Sequence, residues 1–393
     1  MTSPRRVAIT GVGVLAWAGL GKDAFWQGLL AAPKEGPRVM DHFDPLPHFD
    51  NPKEARRTDR FGQMALAAAA EALEQSGPLN AAPDRIGVWV GTGVGGLRTL
   101  EDQVEIRLER GQRRVSPFLV PMMMANAASA AISMRYGYSG PCENTVTACA
   151  AGTQSISNAA LLIRSNRCDA VITGGSEACN SATGVAAFKN MTAVSASNIS
   201  RPFDLERDGF IQAEGAAVLV LEELEMARRR GATILGEVLG GASTADAHHI
   251  TAPAPGGAGA VRCMELALAD AQLLPDNIAH INAHGTSTPL NDAAEAEAIC
   301  KVFGTPGPLV TSTKGVTGHA LGAAGAIEAA AVVLAMQHQL IPPTYGYQTP
   351  DPEMAPIRIV ASEPAVWTPG PSISNSFGFG GHNGTIIIGP APS

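Results

Sequence analysis

Aromatic residues make up only 5% of this 393-residue chain, and charged residues only 16%. Neither scarcity signals disorder, because 45% of the residues are hydrophobic and many of the 43 glycines lie within apolar stretches. Small residues inside apolar runs point to helices and strands packed closely together. There is no basic excess: the formal net charge is −8, which argues against a nucleic-acid surface. The six cysteines (Cys142, Cys149, Cys168, Cys179, Cys263, Cys300) contain no C-x-x-C pair and no regular spacing. No zinc site or disulfide framework is therefore expected, and a reducing cytoplasm fits best. The absence of any G-x-S-x-G elbow removes the commonest serine-hydrolase reading.

Long hydrophobic runs are also missing. The most apolar stretch, Ala320 to Met336, carries Glu328 and is short for a bilayer crossing, so no membrane segment is expected. Arg5 and Arg6 precede an apolar run in a way that imitates a secretory signal. The run itself, Val7-Ala-Ile-Thr-Gly-Val-Gly-Val14, has the β-branched residues and glycines of a buried strand entering a turn. Gly11-Val-Gly-Val-Leu-Ala16 matches a dinucleotide fingerprint, but a second turn follows and the next helix starts only near Lys22, so no dinucleotide cofactor is expected. Three basic clusters (Arg56, Arg57 and Arg60; Arg110, Arg113 and Arg114; Arg228 to Arg230) are either solvated faces or docking patches for an acidic partner.

Short β-branched segments alternate with Ala-rich helices, the pattern of an α/β fold with partly parallel sheets. Strands are expected at Val7–Thr10, Ile86–Val90, Ala170–Thr173, Ala217–Leu221, Ile234–Leu239, Ile278–Asn282 and Thr385–Ile388. Helices are expected at Arg60–Gln75, Ala150–Ser165, Gly259–Ala271, Asp292–Phe303 and Ala323–Gln339. No low-complexity linker divides the chain. A charged helix ending at Gly231 suggests two units, residues 1–230 and 231–393. One internal echo joins them: Thr147-Ala-Cys149-Ala-Ala-Gly152 and Thr317-Gly-His319-Ala-Leu-Gly322 each introduce a small-residue helix, which places both reactive groups at helix N-termini facing one cleft.

Cys149 is either a small buried filler or a nucleophile. Its helix-start position favours thiolate through the macrodipole and unpaired amides, and its Ala/Gly neighbours leave a substrate room. His284 ends a strand, where sheets of this class present reactive groups. Thr286 and Thr288 alternate outward from the same loop and can hydrogen-bond an amide-bearing substrate. His319 sits in a second Thr/Gly-rich loop. Asn375-Ser-Phe-Gly-Phe-Gly-Gly-His-Asn-Gly384 is either a turn with core phenylalanines or a mobile gate whose backbone donates to an oxyanion.

Together, Thr147-Ala-Cys149, Asn282-Ala-His284-Gly-Thr-Ser-Thr-Pro, Lys314 with Thr317-Gly-His319, and Asn375-Ser-Phe-Gly-Phe-Gly-Gly resemble the β-ketoacyl-acyl-carrier-protein synthases. The likeness is strongest to the elongating type II group with a Cys-His-His triad. Arg201-Pro-Phe-Asp204 and Arg207-Asp-Gly-Phe210 extend it, so it runs from about Val7 to Ile388. The resemblance implies a thiolase fold, two pseudo-symmetric α/β halves in a five-layered αβαβα sandwich, usually dimeric. It implies that Cys149 accepts an acyl chain and that His284 and His319 assist decarboxylation of malonyl-carrier protein. It further implies that the amides of Cys149 and Phe379 form an oxyanion hole, that Lys314 and Glu328 support the histidines, and that Thr286 and Thr288 hold the pantetheine arm. Phe377 and Phe379 match a gate, and Val94 matches a position limiting acyl-pocket depth. No cofactor of its own is implied, because phosphopantetheine arrives on the partner acyl carrier protein. The partner subunit would be a second copy or a homologous chain-length-determining chain.

Some features depart from the common pattern. The stretch from Lys34 to Arg56 is short, and Leu290-Asn291-Asp292 replaces a more familiar ending with glycine before Asp. These differences raise a specialised polyketide or polyene pathway beside fatty-acid elongation. A non-catalytic chain-length subunit would lack Cys149, and a biosynthetic thiolase would need a further cysteine beyond Cys300; neither condition is met.

Overall fold

The structure, a computed structural model, describes residues 5–392. Of the twelve strands that these residues place in the main sheet, two, Gly19–Leu20 and Arg358–Ile359, are short additions, and the other ten build two half-sheets. The first holds β1 (Val7–Ala16), β2 (Ile86–Gly91), β3 (Cys142–Glu143), β4 (Ala170–Glu177) and β5 (Gly215–Glu223). The second holds β6 (Gly236–Ala245), β7 (His280–Asn282), β8 (Leu309–Thr311), β9 (Ser372–Gly378) and β10 (His382–Gly389). Their orders are β3-β2-β4-β5-β1 and β8-β7-β9-β10-β6, the same permutation twice. In each, the first three strands are parallel and the fourth runs antiparallel to both neighbours. The halves meet where β1 pairs β6 at Ala8 and Ile9.

Five helices complete the layers: α1 (Arg60–Ser76), α2 (Ala151–Arg164), α3 (Ala258–Ala271), α4 (Pro289–Phe303) and α5 (Ala324–His338). α1 covers the outer face of the first half-sheet, and α3, with α4 against it, covers the second. α2 and α5 pack on each other between the two. This αβαβα arrangement is the thiolase fold. A helix apolar on every side must be buried on every side, and each α5 residue from Ala324 to Met336 is. The stretch Leu321–His338 has the length and hydropathy of a membrane span, longer than its sequence suggested, but 89% of it is buried inside the protein. The central helices approach closely because Gly152 carries no side chain: a Cβ there would lie 2.8 Å from the Ala326 amide nitrogen.

Several segments differ from their sequence-based limits for local reasons. β1 continues through Gly11 and Gly13 to Ala16 rather than turning after Thr10. Its two glycines are packing devices, since Cβ atoms there would overlap the Ala72 and Ala68 carbonyl oxygens of α1. The dinucleotide-like motif is therefore strand interior, not a phosphate loop. β6 starts at Gly236 rather than Ile234 and runs through polar Ser243 and Thr244 because β10 pairs with it along that length. β7 begins at His280, two residues after Ile278. α4 starts at Pro289, whose missing N–H costs nothing in a helix's first turn.

Candidate active site

Cys149 and His319 occupy equivalent places in the two halves. Each follows a residue with positive φ, Ala148 at 49° and Gly318 at 70°, which swings the next side chain inward. Cys149 stands just before α2, whose N-cap is Ala150. His319 is set off from α5 by a 3-10 turn, Leu321–Ala323. Their side chains converge, with His319 Nε2 3.0 Å from Cys149 Sγ. The His284 ring lies 5.4 Å from that of His319, centroid to centroid, at 83°.

All three side chains are buried at 6% exposure or less and face a cavity of about 580 Å³. Thr286, Thr288, Phe377 and Phe379 line the same cavity. The two threonine hydroxyls are 2.9 Å apart. Phe377 stands edge-on to His284 at 5.8 Å, and Phe379 stacks on Phe188 at 6.4 Å. The backbone amides of Phe379 and Cys149 lie near enough to the Cys149 sulfur to favour its thiolate form. Val94 is the exception: it is 47% exposed and outside the cavity lining. Its segment, Gly91-Thr-Gly-Val-Gly-Gly96, instead wraps a buried carboxylate, with Gly93 N donating to Glu177 Oε2 at 2.6 Å.

Lys314 fixes the state of His284. Its ammonium, fully buried, donates to the His284 carbonyl oxygen at 2.6 Å, to Glu328 Oε1, and to His284 Nδ1 at 3.4 Å. An ammonium has no acceptor, so Nδ1 must accept and the ring proton sits on Nε2. Burial and the nearby Lys314 charge both hold His284 and His319 well below the ordinary histidine value, so both rings are neutral. His319 Nδ1 is buried without a hydrogen-bond partner among the described residues.

The resting thiol departs from the sequence-based expectation. Burial pushes the Cys149 pKa up to about 12, against the opposing pull of Lys314 and the two amides. Desolvation outweighs the helix terminus, and Cys149 rests as a thiol among neutral imidazoles. The thiol sulfur and the imidazole nitrogens lie within 4.8 Å of one another. That donor set suits a soft divalent cation, while the Lys314 charge beside His284 works against one.

Three supporting carboxylates received no role from the sequence. Glu295 on α4 accepts from the amides of His284 and Gly285, both at 2.8 Å. Asp292, one turn earlier, accepts from Ser287 and Phe203 amides at 3.1 and 2.8 Å, pinning the loop that carries the two threonines. Glu177 also accepts from Gly322 N at 3.2 Å, tying the turn after His319 to β4. Burial raises Glu295 and Glu177 to about 7. An acid closing the apolar strand Ala170–Glu177 was a signal available to sequence reading. Phe210, noted in the sequence only within Arg207-Asp-Gly-Phe210, sets its ring edge-on to His319 at 5.0 Å.

Comparisons with known proteins agree with this geometry. The beta-ketoacyl synthase N-terminal domain matches residues 34–227, and the C-terminal domain of the same family matches residues 235–348. A 3-oxoacyl-[acyl-carrier-protein] synthase 2 from Synechocystis sp. is 43% identical over 98% of this chain and 98% of its own. Among solved structures, the ishigamide ketosynthase/chain length factor superposes with a TM-score of 0.92 at 33% identity, covering 99% of this chain and 100% of that one. A type II PKS acyl-carrier protein in complex with its ketosynthase bound to the hexaketide gives 0.88 at 31%, with coverage of 99% and 100%.

Proposed function

This chain belongs to the beta-ketoacyl synthase family, and on that premise we propose that it condenses an acyl-carrier-protein thioester with malonyl-carrier protein. The products are 3-oxoacyl-carrier protein, carbon dioxide and a free carrier thiol. The carrying observation is the cluster of one thiol and two neutral imidazoles, with His319 Nε2 3.0 Å from Cys149 Sγ.

In the first half-reaction the Cys149 sulfur attacks the acyl thioester, and the thiol proton passes to the departing carrier sulfur. The amides of Cys149 and Phe379 stabilise the tetrahedral oxyanion. In the second, malonyl-carrier protein loses carbon dioxide, and its electron pair becomes an enolate on the thioester oxygen. Two neutral N–H donors suit that charge better than imidazoliums, which would give up a proton and trap the enolate. His284 Nε2–H is one donor, held in that tautomer by Lys314. His319 is the other: with its ring proton on Nε2 it donates to the Cys149 sulfur at rest, and that N–H is freed for the enolate oxygen once the sulfur is acylated. The enolate carbon then attacks the acyl carbon, and Cys149 leaves as thiolate and takes up one proton from solvent, the proton the net reaction consumes.

Thr286 and Thr288 bind the pantetheine amides of the carrier-borne substrate, and Phe377 and Phe379 gate the acyl side. Glu328 holds Lys314 in place. The role of Val94 in pocket depth finds no support in the single chain. The units 1–230 and 231–393 rest on the repeated strand order. Pairing with a second copy or a homologous chain-length subunit is supported by the exposed edge strand β3 and by exposed Met134, Val146 and Leu161 nearby in sequence. Six unpaired cysteines support a reducing, cytoplasmic setting.

Intact-mass analysis after incubation with acyl-carrier proteins of varied chain length tests the reading. A covalent acyl adduct mapping to Cys149 is expected. Equal acylation of Cys149→Ala would refute the nucleophile.

A further inference from the structure

The orientation of His319 needs an explanation that its own ring does not supply. Nδ1 has no partner among the described residues, so no hydrogen bond on that side fixes the imidazole as Lys314 fixes His284. What holds His319 is its backbone. The His319 amide donates to the Ile211 carbonyl at 2.8 Å, and the Ala213 amide donates back to the His319 carbonyl at 3.0 Å. Residues 210–214 thus form an extended strip whose alternate side chains work separately. Phe210 sets its ring on the imidazole, Gln212 Nε2 donates to the Cys179 carbonyl at 2.9 Å, and Glu214 points away from the cavity.

Glu214 is the anchor of that strip. Its side chain is 1% exposed. It receives Arg60 as a fork, Nε on Oε2 at 2.8 Å and Nη2 on Oε1 at 2.6 Å, and the Met40 amide on Oε1 at 2.7 Å. Arg60 Nη2 also donates to the Met40 carbonyl at 2.8 Å, while the Glu214 amide donates to the Arg38 carbonyl at 3.1 Å. Three segments, 38–40, 211–214 and 318–319, are therefore tied side by side, with α1 locked to them through Arg60. A bidentate guanidinium–carboxylate pair fixes direction as well as distance. Glu214 directly follows Ala213, whose amide holds the His319 carbonyl.

We propose that Glu214, braced by Arg60, is a positioning residue that sets the reach of His319 toward Cys149 and the enolate. The inference deepens the proposed condensation and rests on it. Glu214 touches no reacting atom, so its loss acts through the placement of one imidazole. A shift near 1 Å at a catalytic group costs up to about 100-fold.

The test compares Glu214→Gln and Arg60→Lys with the unmodified chain in two half-reactions and one chemical probe. Glu214→Gln is expected to lower carbon dioxide release from malonyl-carrier protein by about 10- to 100-fold, while acylation of Cys149 falls less than about threefold. Arg60→Lys keeps the charge but loses the fork, and should show the same imbalance at smaller size. Carbethoxylation of His319 by diethyl pyrocarbonate, mapped by peptide mass, should change in rate in both, because the imidazole 3.0 Å from the sulfur is displaced. This readout needs no carrier protein, so it separates failure of this inference from failure of the condensation reading. Equal losses in both half-reactions, or an unchanged rate of His319 carbethoxylation, would overturn the positioning role. If Glu214→Gln does not fold, Arg60→Lys decides the matter on the same criteria.

Discussion

Replacing Lys314 with methionine separates what the buried ion pair does for the fold from what it does for the chemistry. Lys314 is fully buried, and its charge is matched by Glu328, itself 2% exposed. Removing the cation leaves a carboxylate in the core with one oxygen already lacking a partner among the described residues. Breaking one side of a buried pair costs roughly 3–5 kcal/mol, whereas replacing both sides with well-packed apolar residues is often near neutral. Lys314→Met should therefore be destabilised by roughly 3–5 kcal/mol in urea unfolding, and Lys314→Met/Glu328→Leu should recover most of that loss.

Decarboxylation should not recover. Without the ammonium, nothing holds the His284 proton on Nε2, and a positive charge near the enolate is gone. Losing one donor to a developing oxyanion costs about 10²–10³ in rate, so both variants should release carbon dioxide at least about 100-fold more slowly. Cys149 should still be acylated. If the double variant regained decarboxylation along with stability, Lys314 would be a structural counter-ion and the tautomer argument would be wrong.

Two other outcomes follow from buried groups. Glu295→Ala leaves the His284 and Gly285 amides without acceptors, at about 1–3 kcal/mol each; urea unfolding checks this, and a loss below about 1 kcal/mol would mean another group takes over. His280 is fully buried on β7, with neither ring nitrogen hydrogen-bonded among the described residues, and burial lowers its pKa from 6.5 to about 3. Between those values the unfolded chain binds the proton and the folded one does not, so this residue's contribution is intact above pH 6.5 and is lost as pH falls. Its share is about 1.4 kcal/mol per pH unit. His280→Phe should lose roughly 2 kcal/mol less than the unmodified chain between about pH 7 and 5, and identical slopes would contradict the assignment.

How much of this was legible in the sequence differs by level. The alternation of β-branched and Ala-rich segments placed the strands and helices. The Thr-x-Cys and Thr-x-His echo anticipated a real symmetry, since Ala148 and Gly318 share the same positive-φ turn. Strand limits failed where glycine serves packing instead of turning, as at Gly11 and Gly13, because a partner helix distant in sequence sets that need. The acids Glu177, Glu214 and Glu295 escaped notice, and the aromatic Phe210 was given no role, for the same reason. Each acts on backbone groups or a ring brought near only by folding, and an isolated acid in an Ala-rich helix carries no spacing signal. The protonation of Cys149 reversed because helix-start position is local while burial is not.

The central claim is that Cys149 carries the acyl chain while His284 and His319 serve the decarboxylation. The most direct measurement follows both half-reactions in His284→Ala and His319→Ala: acyl transfer to Cys149 by intact mass, and carbon dioxide release from malonyl-carrier protein. Each variant should still acquire the acyl adduct on Cys149, and each should lose carbon dioxide release by at least about 100-fold. Unchanged release in either variant would remove that histidine from the enolate site and contradict the account.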